Sequence, residues 1–215
     1  MIERIRKRLQ RKIGKLRRHI ADRRRPTVLK NQGFCPICER AVTFISRDPW
    51  LRDHYKCTRC RSIPRERALM LVLQQQFPTW RELRIHESSP GRKRSKSASR
   101  KGVRGIRAEP PFPNKPPGSV VEGFRCEDLE CLTFPDTSID LHVSQDVLEH
   151  VQRPETAFAE IARTLRPGGA HVFTVPIVNK DRPSRMRIGI SDSGEISYVE
   201  TPEYHMSPID PKGTS

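Results

Sequence analysis

The chain has 215 residues, room for one full domain and a small companion but not for two large domains. Hydrophobic residues make up 34% and charged residues 31%, so a core is expected in part of the chain only. The net charge of +16 is local: residues 1–25 hold 12 basic and 2 acidic side chains, residues 91–107 hold 8 basic and none acidic, and the rest sums to −2. What results is a near-neutral body carrying two cationic segments. No apolar run approaches the roughly 18 residues of a membrane span, the longest being Ala68 to Leu73. Charges interrupt the apolar positions as far as Arg25, unlike a secretory signal, and the expected compartment is the cytoplasm. In that reducing setting the six cysteines are expected to be metal ligands or buried thiols.

Residues 1–26 come first. Ile2, Ile5, Leu9, Ile13, Leu16 and Ile20 recur at steps of three and four, which predicts a basic amphipathic helix ended by Pro26. Its stripe suits an anionic lipid surface, nucleic acid or the domain behind it, and the pattern alone does not choose among them. Over residues 29–62, Cys35-Pro-Ile-Cys38 and Cys57-Thr-Arg-Cys60 give C-x2-C-x18-C-x2-C, the spacing of a zinc ribbon. Four thiolates complete a tetrahedral zinc site and leave no open position, so Zn2+ bound by Cys35, Cys38, Cys57 and Cys60 is expected to be structural. Ala41–Ile45 and His54–Lys56 are the expected hairpin strands. Over 63–80 a connecting helix follows, with Ser62 as its cap, Pro64 in its first turn, and Ala68, Leu69, Leu71, Val72 and Leu73 as its buried residues. Arg65 and Arg67 at its start are candidates for an anion clamp.

From residue 81 onward strands and helices alternate. Leu83–Glu87, Val120–Phe124, Ile139–Val143 and Ala170–Val175 read as strands, with a helix from Pro154 to Leu165. Ala157, Phe158, Ile161, Ala162 and Leu165 form its expected inner face, and Pro167-Gly168-Gly169 a turn. This alternation predicts an α/β fold with a doubly wound parallel sheet, whose ligands bind beyond the carboxyl ends of the strands.

Phe134 to Leu141, Gln145-Asp-Val-Leu-Glu-His-Val151 and Glu160 to Gly169 together resemble class I S-adenosylmethionine-dependent methyltransferases, in particular the subgroup related to ubiquinone-biosynthesis enzymes. The resemblance covers about residues 83 to 176 and implies a Rossmann-like sheet that binds S-adenosyl-L-methionine. It implies that Glu87 is the acid closing the first strand, and that Ser88, Ser89 and Gly91 lie in the loop beneath the methionine part. Asp128 then accepts from the adenine amine, Leu129 adds backbone and apolar contact, and Gln145 and Asp146 lie along the cofactor, with Leu148 and His150 behind them. Glu109, after a faint strand at Val103 to Arg107, is the candidate acceptor for the ribose hydroxyls.

The pattern departs from the family in its first loop, where Ser89 stands at the first glycine, Gly91 at the second and Lys93 at the third. Arg92 to Arg104 has only Ala98 and Val103 as apolar residues, so no packed helix is expected there, and the sheet is expected to be incomplete. Pro202-Glu-Tyr-His205 is read as a surface loop. The organisation expected is a basic helix (1–26), a zinc ribbon (29–62), a connecting helix (63–80) and a methyltransferase-like domain (81–215) that is irregular over 92–118. The function expected is methyl transfer to an unknown acceptor. The alternative is a zinc-ribbon protein that binds nucleic acid, its methyltransferase-like body a scaffold, in which Trp50 and Tyr55 with Arg47, Arg52, Lys56, Arg59 and Arg61 supply stacking and charge. An anionic partner is expected on residues 1–25 and 91–107.

Overall fold

The computed structural model describes residues 6, 25–88, 105–109, 115–121, 123–177, 181, 183, 188–191 and 195–199. The expected N-terminal helix (Arg6, in helix, excepted), Ser89 and Gly91, the segment 92–104 and Pro202–His205 lie outside these residues. The chain divides into two compact units, Met1–Trp80 and Arg81–Ser215.

In the first unit β1 (Leu29–Cys35), β2 (Arg40–Ser46) and β3 (Lys56–Cys57) form an antiparallel sheet in that order. The strand that pairs with β2 along its whole length is β1, from Leu29↔Ser46 to Cys35↔Arg40. This strand was not legible in the sequence, because Lys30, Asn31 and Gln32 are exposed and no alternation marks it. His54, expected in a strand, ends the short helix α1 (Leu51–His54) instead. Phe44 is buried opposite Asn31 and Cys57, and a Cβ on Gly33 would meet its ring at 3.3 Å, a close approach.

Helix α2 (Pro64–Gln76) begins one residue later than a Ser62 cap would place it. Ile63 is the capping residue, and the Glu66 carboxylate accepts its N–H at 2.9 Å. Leu69 and Leu73 are buried, whereas Leu71 and Val72 are exposed, so only one stripe of the apolar run packs. Gln74 Nε2 donates to the Pro36 carbonyl at 3.0 Å and ties the helix to the ribbon.

The second unit holds a six-stranded sheet of order β6-β7-β5-β4-β8-β9, made of β4 (Ile85–Ser88), β5 (Gly105–Glu109), β6 (Val120–Val121), β7 (Phe124–Cys126), β8 (Ile139–Gln145) and β9 (Leu165–Thr174). All neighbours are parallel except β6 and β7. The expected single strand at Val120–Phe124 is therefore a tight antiparallel pair, turning at Gly123 with φ +84°. Pro167–Gly169 does not interrupt the chain as a separate turn; it lies inside β9, where the register with β8 shifts between Ile139 and Leu141 and Gly168 takes φ +79°.

Helix α3 (Pro154–Thr164) covers the sheet with Ala157, Ile161 and Thr164. Ala157 and Ile161 join Leu129, Leu132, Phe134, Ile139 and Leu148 in one core cluster. Phe158 and Ala162, expected on this face, are exposed. Among the described residues α3 is the one α-helix of this unit, and β10 (Ile188–Ile190) and β11 (Ile196–Tyr198) form a separate antiparallel pair.

Candidate functional site

The order of the sheet decides where a ligand can bind. From β4 the chain moves outward through β5 to β7, then returns to the other side of β4 with β8 and β9. In open α/β sheets such a reversal marks the usual ligand position, beyond the carboxyl ends of the strands. Register brings those ends level: Ser88 pairs with Ala108 and with Ser144, Glu109 with Cys126, and Gln145 with Thr174. Ser88, Glu109 and Gln145 therefore end adjacent parallel strands, Asp146 follows β8 by one residue, and Asp128 follows β7 by two. Ser88 is buried and Glu87 half-buried; for Glu109 the structure describes the backbone.

Asp128 starts a tight turn. One carboxylate oxygen, Oδ1, accepts the Glu130 N–H at 2.9 Å, and a bridge to Cys131 closes the loop. Beneath it lies a group that sequence reasoning missed, the buried carboxylate of Glu127, which accepts from the Arg125 guanidinium, from Thr133 Oγ1 and from the Thr133 N–H at 2.8 Å. Arg125 also lies over the Phe134 ring at 5.2 Å. A fully bonded buried carboxylate fixes the loop that carries Asp128. Its only mark in the sequence is the adjacent acid pair Glu127-Asp128.

On the opposite side Asp146 takes φ +50°, uncommon for a residue with a Cβ and most often met in Asn and Asp. Its N–H donates to the Thr174 carbonyl at 3.0 Å and its Oδ1 accepts from the Thr174 hydroxyl at 3.0 Å. Thr174, absent from the expected site, is what holds this conformation. His150 lies on a short 3-10 turn and is exposed.

Charged residues around α3 hold that helix in place. Glu130 accepts the N–H groups of Gln152 and Arg153 at 3.0 Å each and the Arg153 guanidinium at 2.8 Å, capping α3, which has no side-chain cap of its own. Burial opposes its charge, but these donors outweigh it and hold the carboxyl below its usual range. Arg163 donates to Glu160, Asp136 and the carbonyls of Leu132 and Phe134, stitching α3 to the loop after Asp128.

Three histidines stand in register under the site, His86↔His142↔His171 on β4, β8 and β9. Thr164 Oγ1 donates to a helix carbonyl (Glu160 O 3.0 Å, Ile161 O 3.1 Å) and so accepts from His142 Nε2 at 2.9 Å. That network assigns the tautomers: His142 Nδ1 is the acceptor, and His86 Nδ1–H donates to it at 2.7 Å. His171 Nε2 pairs with Ser144 Oγ at 2.9 Å. Burial lowers the pKa of all three, with the neighbouring histidines adding to it for His86 and His142, and His142 and His171 fall to about 4.

In the first unit the sulfurs of Cys35, Cys38, Cys57 and Cys60 all lie within 4.8 Å of one another, with Cys35–Cys60 and Cys38–Cys57 at 3.8 Å. Tetrahedral zinc with Zn–S near 2.3 Å requires S···S of about 3.8 Å, so the donor set fits that ion. Burial, and then the thiols of Cys60 and Cys57, push the Cys38 thiol well above its ordinary value. Burial also opposes ionisation of Cys57, but the N–H groups of Cys60 and Arg59 outweigh it and lower that thiol. Four such sulfurs ionise together only around a cation. The Ser62 hydroxyl, 3.1 Å from Cys60 Sγ and 3.8 Å from Cys35 Sγ, serves this cluster rather than a helix cap.

Neither clamp arginine is free. Arg67 is buried, donates to the carbonyls of Ser62 and Tyr55, and lies 4.4 Å from the Phe44 ring centroid and 5.5 Å from that of Tyr55. Arg65 pairs with Asp53, which also accepts from Trp50 Nε1. Tyr55 is thus part of the ribbon's core, packed on Phe44 with centroids 5.8 Å apart.

Residues 107–173 match the family described as a methyltransferase domain. No curated protein matches the chain. Among solved structures, an S-adenosylmethionine-dependent methyltransferase from Mesorhizobium loti is 25% identical with a TM-score of 0.38, over 50% of this chain and 53% of that one. YcgJ from Bacillus subtilis is 20% identical with a TM-score of 0.38, over 50% of each chain. The cyclase SpnF is 20% identical with a TM-score of 0.38, over 51% of this chain and 44% of that one. The chain thus spans about half the length of the solved structures it matches. The family match runs from β5 to β9, so over that stretch the second unit is similar to a methyltransferase domain.

Proposed function

We propose that the second unit binds S-adenosyl-L-methionine beyond the carboxyl ends of β4, β5, β7 and β8 and transfers its methyl group to an acceptor. The observation that supports this reading is the convergence of Ser88, Glu109, Asp128 and Gln145-Asp146 at those ends, most of them inside the segment that matches the methyltransferase family. Asp128 accepts from the adenine amine through the carboxylate oxygen that its own turn does not use, with Leu129 beside it. Glu109 accepts from the ribose hydroxyls, Gln145 and Asp146 lie along the cofactor, and Glu87, Ser88, Ser89 and Gly91 surround the methionine part.

The bound sulfonium supplies an already activated methyl group, so the protein's task is alignment and exclusion of water. A general base is needed only for an acceptor with a protonated oxygen or nitrogen, and none is assigned. Cys35, Cys38, Cys57 and Cys60 hold a structural Zn2+ in the first unit, and the compartment is the cytoplasm, where the thiols stay reduced. Isothermal titration with S-adenosylhomocysteine tests the reading: saturable binding at one site per chain is expected. Absence of heat with folded protein would replace it with the scaffold reading.

A further inference from the structure

The ribbon sheet has two faces, and among the described residues one of them carries the metal cluster and the core. Cross-strand pairing puts Cys35, Val42, Phe44 and Cys57 on the face that carries the metal cluster and core. The same register puts Lys30↔Ile45, Gln32↔Thr43, Phe34↔Ala41 and Ile45↔Lys56 on the other face. Phe34 projects from it with 63% of its surface exposed, an unusual position for a phenylalanine. Lys30 lies four residues along the same strand, about 13 Å away, and Lys56 closes the far side across Ile45. No acidic residue lies on this face.

The acids nearby are already engaged. Asp48 pairs with Arg25, Asp53 with Arg65, Glu66 caps α2, and Glu39 has a partner as well. Among the described residues Lys30, Arg40, Lys56, Arg59 and Arg61 make no ion pair. The charge of the chain is divided in the same sense: residues 1–80 hold 21 Lys and Arg against 6 Asp and Glu, and residues 81–215 hold 20 against 19.

We propose that this outer face, with Phe34 near its hairpin end and Lys30 and Lys56 together toward the other, binds single-stranded nucleic acid. An exposed ring on a sheet offers a stacking platform to an unpaired base, whatever its sequence, while the lysines farther along the strands neutralise phosphates. A duplex keeps its bases stacked on one another and has none to give the ring. A lipid surface asks for several protruding apolar side chains, and among the paired strand residues of this face Phe34 is the one large apolar side chain that is exposed. The partner so identified is separate from the bound cofactor and does not depend on methyl transfer.

Fluorescence anisotropy with the full-length, zinc-loaded chain and a labelled 12-nucleotide oligothymidylate tests the proposal, with a duplex of equal length and phosphatidylserine vesicles as comparison arms. Phe34→Ala is expected to weaken oligonucleotide binding at least fivefold while Phe34→Tyr restores it, in line with the stacking contribution of one base. Lys30→Ala with Lys56→Ala is expected to reduce the slope of log affinity against log salt by about 1.4, two phosphates' worth for a single strand. Zinc content checks the fold of each variant, and if Phe34→Ala loses its metal, the lysine pair decides through the salt slope. Wild-type affinity in a zinc-loaded Phe34→Ala chain, an unchanged salt slope in the lysine variant, or a Phe34 effect confined to the duplex or the vesicles would overturn it.

Discussion

Asp128 shows how one side chain divides two tasks. Its Oδ1 holds the turn, so truncation to alanine would lose both the turn and the adenine acceptor, whereas Asp128→Asn keeps an oxygen for the Glu130 N–H and presents an amide to the amine. We expect Asp128→Asn to weaken S-adenosylhomocysteine by about 1 to 3 kcal/mol, the cost of an unmatched buried donor, with little change in melting temperature. Calorimetric titration reads the first and thermal unfolding the second. Asp146 invites the complementary experiment, because glycine takes its φ of +50° without strain. Asp146→Gly should fold as well as the parent and bind the cofactor product more weakly; equal affinity would remove Asp146 from the site. Both acids were legible in the sequence through their motif, but their supports were not. Glu127 and Thr174 act through contacts with Thr133 and Asp146 that only the folded sheet brings together.

At the scale of elements, β4, β8, the second half of β9 and α3 were readable because apolar residues recur in them, as in β8, where Ile139, Leu141 and Val143 are at most 5% exposed. The split of Val120–Phe124 into two strands and the strand through Pro167–Gly169 were not, since both depend on glycines at positive φ inside apolar text. The histidine ladder is a further case: each residue looks unremarkable alone, and register makes them a unit. It carries a pH prediction. The folded pKa values lie below the unfolded value of about 6.5, so the unfolded chain takes up more protons, and the stability contributed by the neutral rings is whole above pH 6.5 and lost as pH falls toward about 4. Each histidine adds roughly 1.4 kcal/mol per pH unit across that window. Urea unfolding between pH 7.5 and 4.5 should show this loss, and His142→Phe should flatten it; a parallel pH profile in the variant would mean that the loss originates elsewhere.

For the whole molecule, cysteine spacing announced the ribbon from four residues, whereas the placement of β1 and the role of Arg67 beneath Phe44 required the folded chain. Elemental analysis of protein purified without chelator should find one zinc per chain. Chelation is expected to remove the first unit's ordered signal, because its sheet buries little besides Phe44 and the cysteines, and metal affinity is folding free energy in such small domains. Cys38→Ser should give the same loss without chelator. If the apo chain unfolds with an unchanged profile, the four sulfurs hold no structural ion.

Strand β9 closes one side of the described sheet, and the outward backbone of such an edge is a template for another chain's strand. Its first half defends itself: Pro167 has no N–H to offer, Gly168 bends the backbone at φ +79°, and a Cβ on Gly169 would meet the carbonyls of Arg166 and Asp140 at 2.9 Å. The second half, Ala170 to Thr174, has no such interruption and ends beside Phe173, whose surface is 43% exposed. Concentrated protein should therefore self-associate through this half-strand, most readily under acid conditions that charge the histidines beneath it and loosen the sheet. Phe173→Lys should raise the concentration at which light scattering appears while leaving the unfolding midpoint at neutral pH in place.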